Sequence, residues 1–362
     1  MHDANSPSSL VMLSEPTLLD LKMMRLALKE AQKGIGNTSP NPAVGAVLVK
    51  NGRVLAKGWH QAAGCPHAEI EALRSLKNKS SAKGATIYVT LEPCSTHGRT
   101  PPCCESIIAS GITRVVYGAR DPNPQNAGRA DTILRQSGIE VLSGVMELEC
   151  ASLNRAWNKW IHTGLPYVVA KTGMSLDGRI GSPKGRRWIT SEASRKDAMQ
   201  LRATSGAILV GAETVRADNP SLTVRGIPVK QQPLRIVWSR SGNLPSDCHL
   251  LTDEHREKTL VFEGKSLREV LQDLGRRGIE QVLIEGGGRT LGEAFDEGLV
   301  DHIVFYVAPV LIGGETPSVG GSGVENNERA IRLLNPTYTR IGDDIRIEGA
   351  VDYSLRFNSS GS

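Results

Sequence analysis

The feature that most constrains how this chain can fold is a set of metal-binding side chains scattered over separate segments. They are His67-Ala68-Glu69, then Pro93-Cys94, then Pro101-Pro102-Cys103-Cys104. For these to meet at one point, each segment must deliver its residue from a defined piece of secondary structure. Pro66 precedes an apolar series at roughly helical spacing, Ile70, Ala72, Leu73 and Leu76, which predicts a helix starting at His67. Residues two apart on a helix point about 200° apart, so His67 and Glu69 share a site only in such a first turn. Residues 85–91 alternate as a strand does and carry Pro93-Cys94 at their end. Pro101-Pro102 opens a second helix at Cys103, where the helix N-terminus and a metal favour thiolate.

Imidazole and thiolate are zinc ligands, and a catalytic zinc keeps three protein ligands and one water. The metal lowers the pKa of that water to about 7, making hydroxide available to attack an amidine-type ring carbon. Glu69 is not needed as a ligand. It stands where a general acid/base can take the water proton and return it to the ring nitrogen and the leaving amine. The pattern is that of a hydrolytic deaminase with His67 and Cys94 as two ligands. The usual third ligand follows in Cys-x-x-Cys, yet the position three after Cys94 is His97. His97, Cys103 and Cys104 therefore compete for that place. A closed structural zinc would leave Glu69 without a task.

Composition bounds the rest. With 362 residues, 39% hydrophobic and 22% charged, the chain predicts about two domains with ordinary cores. The net charge of +5 comes without any block of consecutive Lys and Arg, which argues against a nucleic-acid arm and is compatible with phosphate-bearing small ligands. Six irregularly spaced cysteines make no disulfide scaffold, so a reducing compartment is expected. No signal-like segment or membrane span is read, and a cytoplasmic protein is expected.

Along the chain, the apolar spacing predicts a helix over 18–33, strands at 44–49 and 53–59 joined by Lys50-Asn51-Gly52, the His67 helix, a strand at 85–91, the Cys103 helix, a strand at 115–118, a helix near 131–136 and a strand at 140–142. That alternation predicts a three-layer α/β domain. A helix over 147–162 leads to Thr163-Gly164-Leu165-Pro166, which sets the expected boundary between domains 1–163 and 164–362. The second domain should carry strands at 167–171, 207–210, 234–238, 259–262, 281–284 and 303–307, with helices near 191–204, 266–277 and 290–298. It is again α/β.

Three long strings carry a family resemblance. Pro93-Cys94-Ser95-Thr96-His97-Gly98-Arg99-Thr100-Pro101-Pro102-Cys103, with His67-Ala68-Glu69 and Asp121-Pro122-Asn123-Pro124, resembles the bifunctional deaminase/reductase family of riboflavin biosynthesis. Lys171-Thr172-Gly173-Met174-Ser175-Leu176-Asp177-Gly178-Arg179, Trp188-Ile189-Thr190 and residues 214–225 extend it through the second half. The resemblance implies a cytidine-deaminase-like N-terminal domain, a dihydrofolate-reductase-like C-terminal domain, one zinc per chain and NADPH. It also implies Cys103 as third ligand and a phosphoribosyl pyrimidine as substrate. The first reaction would remove the 2-amino group of 2,5-diamino-6-(5-phosphoribosylamino)pyrimidin-4-one. The second would reduce the ribosyl of the resulting aminouracil to ribityl. A dimer through the reductase domain is a further expectation from the family.

Site residues follow by matching positions. The resemblance places Asn41, His60, Asp121 and Asn123 around the first substrate, and Arg99 lies in a flanking segment suited to phosphate. It assigns Gly173, Trp188, Thr214 and Asp218 to the cofactor, Arg202, Leu222 and Arg225 to the second substrate, and Glu285 to the ribose being reduced. Lys171 ends a strand as a ribose or cofactor contact. Ile284-Glu285-Gly286-Gly287-Gly288-Arg289-Thr290 puts glycines between a strand and a helix, where backbone amides can cradle phosphate. Leu291 stands where the dinucleotide fingerprint has its third glycine, so Gly287, Gly288, Arg289 and Thr290 face the cofactor only as the resemblance implies. Two departures stand out: Thr96 where the family usually has His, and Arg186 in place of a substrate-facing serine, in a loop one residue shorter. Arg186 is expected to meet a phosphate. A nucleic-acid base deaminase with an unrelated fused domain would want a basic surface and Cys-x-x-Cys, which the sequence does not clearly show.

Overall fold

The computed structural model describes residues 15–96, 101–123, 126–181 and 188–357, and the chain divides into two compact units, Met1–Arg155 and Ala156–Ser362. The first unit opens with α1 (Leu18–Gln32), started by a capping box between Thr17 and Asp20. Then come β1 (Gly45–Lys50), β2 (Arg53–Trp59), α2 (Ala68–Arg74), β3 (Thr86–Leu91), α3 (Cys103–Ala109), β4 (Arg114–Ala119), α4 (Arg129–Gln136), β5 (Glu140–Leu142) and α5 (Glu147–Leu153). The sheet runs β2-β1-β3-β4-β5, with β1 antiparallel to β2 and β3, and β3, β4 and β5 parallel. Asn51 and Gly52 both take positive φ in the β1–β2 turn, 51° and 71°. A core of Leu48, Ile87, Val89, Ile107, Val115, Tyr117 and Leu134 lies between sheet and helices.

The helix expected over 147–162 is broken in two, α5 and α6 (Arg155–Thr163). Asn154 leaves the helix because its side-chain amide is committed elsewhere: Oδ1 accepts from the Ala43 N–H at 2.8 Å and Nδ2 donates to the Ala43 carbonyl at 2.9 Å. The division between units falls at this break rather than at 163/164. α6 belongs with the second unit: Trp160 Nε1 donates to the Gly275 carbonyl at 2.9 Å, and Lys159 pairs with Asp301 at 2.6 Å.

The second unit continues with β6 (Tyr167–Ser175), α7 (Glu192–Ala203), β7 (Ala207–Gly211), α8 (Ala212–Asp218), β8 (Leu234–Ser239), α9 (His249–Thr252), β9 (Thr259–Glu263), α10 (Leu267–Arg276), β10 (Gln281–Ile284), α11 (Gly288–Asp296), β11 (His302–Ala308), β12 (Arg332–Ile341), β13 (Asp344–Asp352) and α12 (Ser354–Phe357). Its sheet order is β12-β13-β11-β6-β10-β7-β8-β9. The strands from β11 to β9 in that order are parallel, while β13 is antiparallel to both β11 and β12. α7 packs through Ala198 and Leu201 against Val169 and Leu283 on one face, where α8 also packs Val215 against Ile208 and Val210. α10 and α11 bury Leu267, Leu274 and Leu291 on the opposite face, against Ala170, Leu209 and Val282. Connections leaving β6 and β7 thus turn to one face, and the connection leaving β10 between them turns to the other. In open α/β sheets a ligand crevice is expected where such connections diverge, at the carboxyl ends of the strands.

Candidate active sites

The fold brings the three ligand segments together as required. His67 is the N-cap of α2, extended at φ −69° and ψ 163°, so its ring and the Glu69 side chain two residues on are not bound to helical spacing. β3 ends at Leu91 and leads into Pro93-Cys94, and Cys103 begins α3. His67 Nδ1 lies 3.3 Å from Cys103 Sγ and 3.4 Å from Cys94 Sγ, and the three ligand atoms lie within 4.8 Å of one another. Zinc bonds of about 2.0–2.3 Å at tetrahedral angles separate N and S ligands by about 3.5 Å. The donor set and its spacing fit zinc.

Cys104 turns away. It lies in the apolar core of the unit, its Sγ 3.6 Å from the Pro93 carbonyl. The Cys103 N–H donates to Cys94 Sγ at 3.2 Å, a bond from the first residue of a helix. The Cys103 thiol and this amide, with His67, outweigh burial and bring the Cys94 thiol down to about 4. Glu69 is 3% exposed. Burial pushes its carboxyl up, the His67 ring opposes this and the Cys94 thiolate reinforces it, leaving it at about 7.

The other expected residues of this site fall around the triad. His60 Nδ1 is 3.0 Å from the Pro66 carbonyl, next to His67, and its Nε2 is 3.1 Å from Asn41 Nδ2. The carbonyl requires a proton on Nδ1, which leaves Nε2 to accept from the amide. Burial keeps the ring neutral by pushing its pKa down. Asp121 is buried, accepts from the Asn123 N–H at 2.8 Å and from Asn126 Nδ2 at 2.9 Å, and has its pKa raised by that burial. Thr96, the departure from the family's His, donates its hydroxyl to Asn126 Oδ1 at 2.8 Å and so ties the Cys94 segment to the Asp121 loop. His97, Arg99 and Arg186 lie outside the described residues.

The sequence reading missed Glu92. Its buried carboxylate accepts from the N–H groups of Asp121 (3.2 Å), Gly128 (3.1 Å) and Ala130 (3.2 Å), fastening that loop and the start of α4. A carboxylate at the end of the apolar strand run 85–91 was the available signal.

In the second unit, Glu285 directly follows the carboxyl end of β10, where the connections diverge, with a side chain 9% exposed. Arg202 grips it by Nε at 2.6 Å and Nη2 at 2.9 Å, and Lys171 approaches at 3.4 Å. Burial alone would raise the Glu285 carboxyl, but Lys171 and Arg202 hold it at about 2. Arg202, expected as a substrate contact, also donates from its third nitrogen to the Thr223 carbonyl at 2.8 Å, leaving one N–H on each terminal nitrogen outside these three bonds.

Gly173 lies on β6 against Thr190, and Thr214 and Asp218 lie on α8. Trp188 is exposed, with the Arg195 guanidinium 5.1 Å from its ring centre. Gly287 caps α11. Gly288 serves packing as well: a Cβ there would lie 2.2 Å from the Pro317 carbonyl oxygen. Arg289 and Arg225 are exposed and Thr290 is buried, and Leu222, also buried, holds φ at +50°.

Fold and site together define a zinc-type deaminase unit joined to an α/β unit built on a mostly parallel sheet with helices on both faces. Residues 18–119 match the model of the cytidine and deoxycytidylate deaminase zinc-binding region, and residues 166–346 match the RibD C-terminal domain. The chain is 40% identical over 365 residues to the riboflavin biosynthesis protein RibD of Actinobacillus pleuropneumoniae, covering 92% of this chain and 96% of that one. Against the RibD protein of Escherichia coli (strain K12) it is 42% identical over 326 residues, 81% of this chain and 88% of the other. The solved structure of Acinetobacter baumannii RibD (form 1) superimposes with a TM-score of 0.84 at 36% identity, covering 92% of this chain and 99% of that one. A Thermotoga maritima structure described as a diaminohydroxyphosphoribosylaminopyrimidine deaminase/5-amino-6-(5-phosphoribosylamino)uracil reductase gives 0.83 at 33%, over 92% and 98% of the two chains. The chain belongs to the RibD family of riboflavin biosynthesis proteins. Its units have the cytidine-deaminase-like and dihydrofolate-reductase-like folds expected from the sequence.

Proposed function

We propose that the first unit hydrolyses the 2-amino group from 2,5-diamino-6-(5-phosphoribosylamino)pyrimidin-4(3H)-one, and that the second reduces the ribosyl of 5-amino-6-(5-phosphoribosylamino)uracil to ribityl with NADPH. The observation that carries the reading is a buried carboxyl, Glu69, beside three converging zinc ligands, His67, Cys94 and Cys103. Zinc, when bound, supplies Lewis acidity toward water. Burial raises the Glu69 carboxyl above the ordinary carboxylate range, the direction that suits a group taking a proton from water and returning it to the ring nitrogen and the departing ammonia. Water enters and ammonia leaves, so the sum balances.

Asn41, His60, Arg99, Asp121 and Asn123 are assigned to the ribotide. In the second unit, NADPH supplies the hydride, and Glu285 with Lys171 forms the charged floor of the crevice on which the opened ribosyl would rest. Gly173, Trp188, Thr214, Asp218, Gly287, Gly288, Arg289 and Thr290 are assigned to NADPH, and Arg186, Arg202, Leu222 and Arg225 to the second substrate. No helix among the described residues is long and apolar enough to cross a membrane. We further propose a cytoplasmic enzyme without nucleic-acid partners, dimeric through its reductase unit.

The test is metal content and turnover together. Wild-type chain should hold about one zinc, release ammonia from the diaminopyrimidine ribotide and then oxidise NADPH. Cys103→Ala should lose zinc and ammonia release, and Cys104→Ala should keep zinc. Full zinc in Cys103→Ala would move the third ligand elsewhere, and ammonia release without NADPH oxidation would refute the second reaction.

A further inference from the structure

The loop after α8 is held more tightly than a connector needs. Between residues 219 and 224 it carries two non-glycine residues in the left-handed region, Asn219 at φ +41° and Leu222 at φ +50°. Leucine gains nothing local from that conformation, so it persists only where the surroundings impose it. Here they impose it nearly residue by residue. Asn219 Oδ1 accepts from the His249 N–H at 2.8 Å, and its carbonyl lies 2.9 Å from His249 Nδ1. The Ser221 carbonyl accepts from Arg235 Nη1 at 3.0 Å, and the Thr223 carbonyl from Arg202 Nη1 at 2.8 Å. Val224 is gripped on both sides by Gln232, whose Oε1 accepts its N–H at 2.7 Å and whose Nε2 donates to its carbonyl at 3.1 Å.

Two of these anchors are guanidiniums taken out of water. Arg235, 1% exposed, is itself fixed by both carboxylate oxygens of Asp253, at 2.6 and 2.8 Å, and by the Leu250 carbonyl at 3.1 Å. Arg202 joins the loop to the carboxyl end of β10, because the same side chain binds Glu285 through its other two nitrogens. The Leu222 side chain is buried among Ile208, Val210 and Val215, so its backbone is pinned from below as well.

We propose that Arg202, Gln232 and Arg235 are positioning residues for the reduction, holding residues 219–224 as a rigid wall beside Glu285. Arg202 acts through Thr223 and Glu285. The proposal rests on the reductase reading of the second unit. Its chemistry is preorganisation: a wall already in shape spares the substrate the cost of ordering it.

Gln232→Leu tests it with little disturbance, since it removes both bonds to Val224 from a side chain outside the deep core. Wild-type reduction of supplied aminouracil ribotide is measured first; if the wild type does not reduce it, the reductase reading fails, and this inference with it. Given wild-type turnover, Gln232→Leu should raise the KM for the ribotide roughly three- to tenfold, as expected for losing one or two neutral hydrogen bonds. Its kcat and its KM for NADPH should stay within about twofold, since the loss is of uniform binding. Faster hydrogen exchange of the amides at 221–225 should accompany the change, with at most a small fall in the thermal midpoint. Arg235→Lys should act in the same direction and more strongly. An unchanged ribotide KM in Gln232→Leu, or equal loss in both substrates' KM and in kcat, overturns the proposal. Should Arg235→Lys fail to fold, Gln232→Leu decides alone.

Discussion

Asp20 shows how much one side chain can hold in the first unit. Its carboxylate, 1% exposed, accepts from Tyr88 Oη at 2.9 Å, from Arg114 at 2.6 and 3.2 Å, and from the Thr17 N–H and hydroxyl at 2.9 and 2.8 Å. It caps α1 and ties that helix to β3 and β4. Burial pushes its pKa up, but the Arg114 guanidinium, the Thr17 donors and the Tyr88 hydroxyl outweigh this and hold it well below the usual carboxylate range. A depressed carboxyl pKa stabilises the fold above the unfolded-state value, about 3.9, and that contribution is lost as pH falls below it. Asp20→Asn should therefore destabilise by about 3 kcal/mol at pH 7, the low end for breaking a buried pair because Arg114 retains some solvent. The gap to wild type should shrink steadily below pH 4. Urea unfolding at pH 7 and pH 3 checks it, and a gap of constant size across that range would show that Asp20 does not titrate as described.

At the scale of elements, the zinc site depends on how closely α2 approaches β2. Gly58 faces the helix backbone: a Cβ there would lie 2.3 Å from the Ala68 carbonyl oxygen and 2.3 Å from the Ala72 nitrogen. Backbone cannot rotate away, so α2 must shift, and His67 immediately precedes it. Gly58→Ala should cost roughly 1–3 kcal/mol, as overpacking does, and should release zinc faster to a chelator. Wild-type zinc retention together with an unchanged thermal midpoint would mean the sheet absorbs the methyl.

Elements also mark where the sequence was legible. β4, β6, β7 and β10 were read from short apolar runs, which strands buried on both faces need, and β3 from its alternation. β12 and β13 were not read. β12 is an edge strand, mostly exposed, interrupted by Asn335-Pro336 with a register shift between Leu334 and Thr337, so it shows neither alternation nor an apolar run. α8, seven residues containing Glu213, Arg216 and Asp218, carries too few apolar positions for a periodic signal. The break at Asn154 depends on Ala43, more than a hundred positions away, which local pattern does not encode. The metal triad was legible because His, Cys and Cys flanked by helix and strand signals admit few chemistries. Gln232, Arg235 and Glu92 were not, because each holds backbone groups of a loop, which the apolar pattern does not register.

On the scale of the whole molecule, each unit has its own sheet, its own buried core and its own candidate site. The groups assigned to deamination all lie before residue 155, and those assigned to reduction all lie after it. Damage to one chemistry should therefore leave the other intact within the same chain. Glu69→Gln keeps the shape and removes the proton carrier, so ammonia release should fall by about 10²–10⁴, while zinc and the reduction of supplied aminouracil ribotide persist. Glu285→Gln should do the converse, removing the charge that Arg202 and Lys171 hold while leaving deamination near wild type. The two variants mixed in equal amounts should then convert the diaminopyrimidine ribotide through to the reduced product, because the aminouracil ribotide is a small soluble molecule that can pass between chains. NADPH oxidation started from the diaminopyrimidine ribotide reads this directly: each variant alone should be slow, and the mixture should recover to within about a factor of two to four of wild type, since each site is present at half concentration. A mixture no faster than either variant alone, with both supplied-substrate activities intact, would mean that the intermediate passes only within one chain.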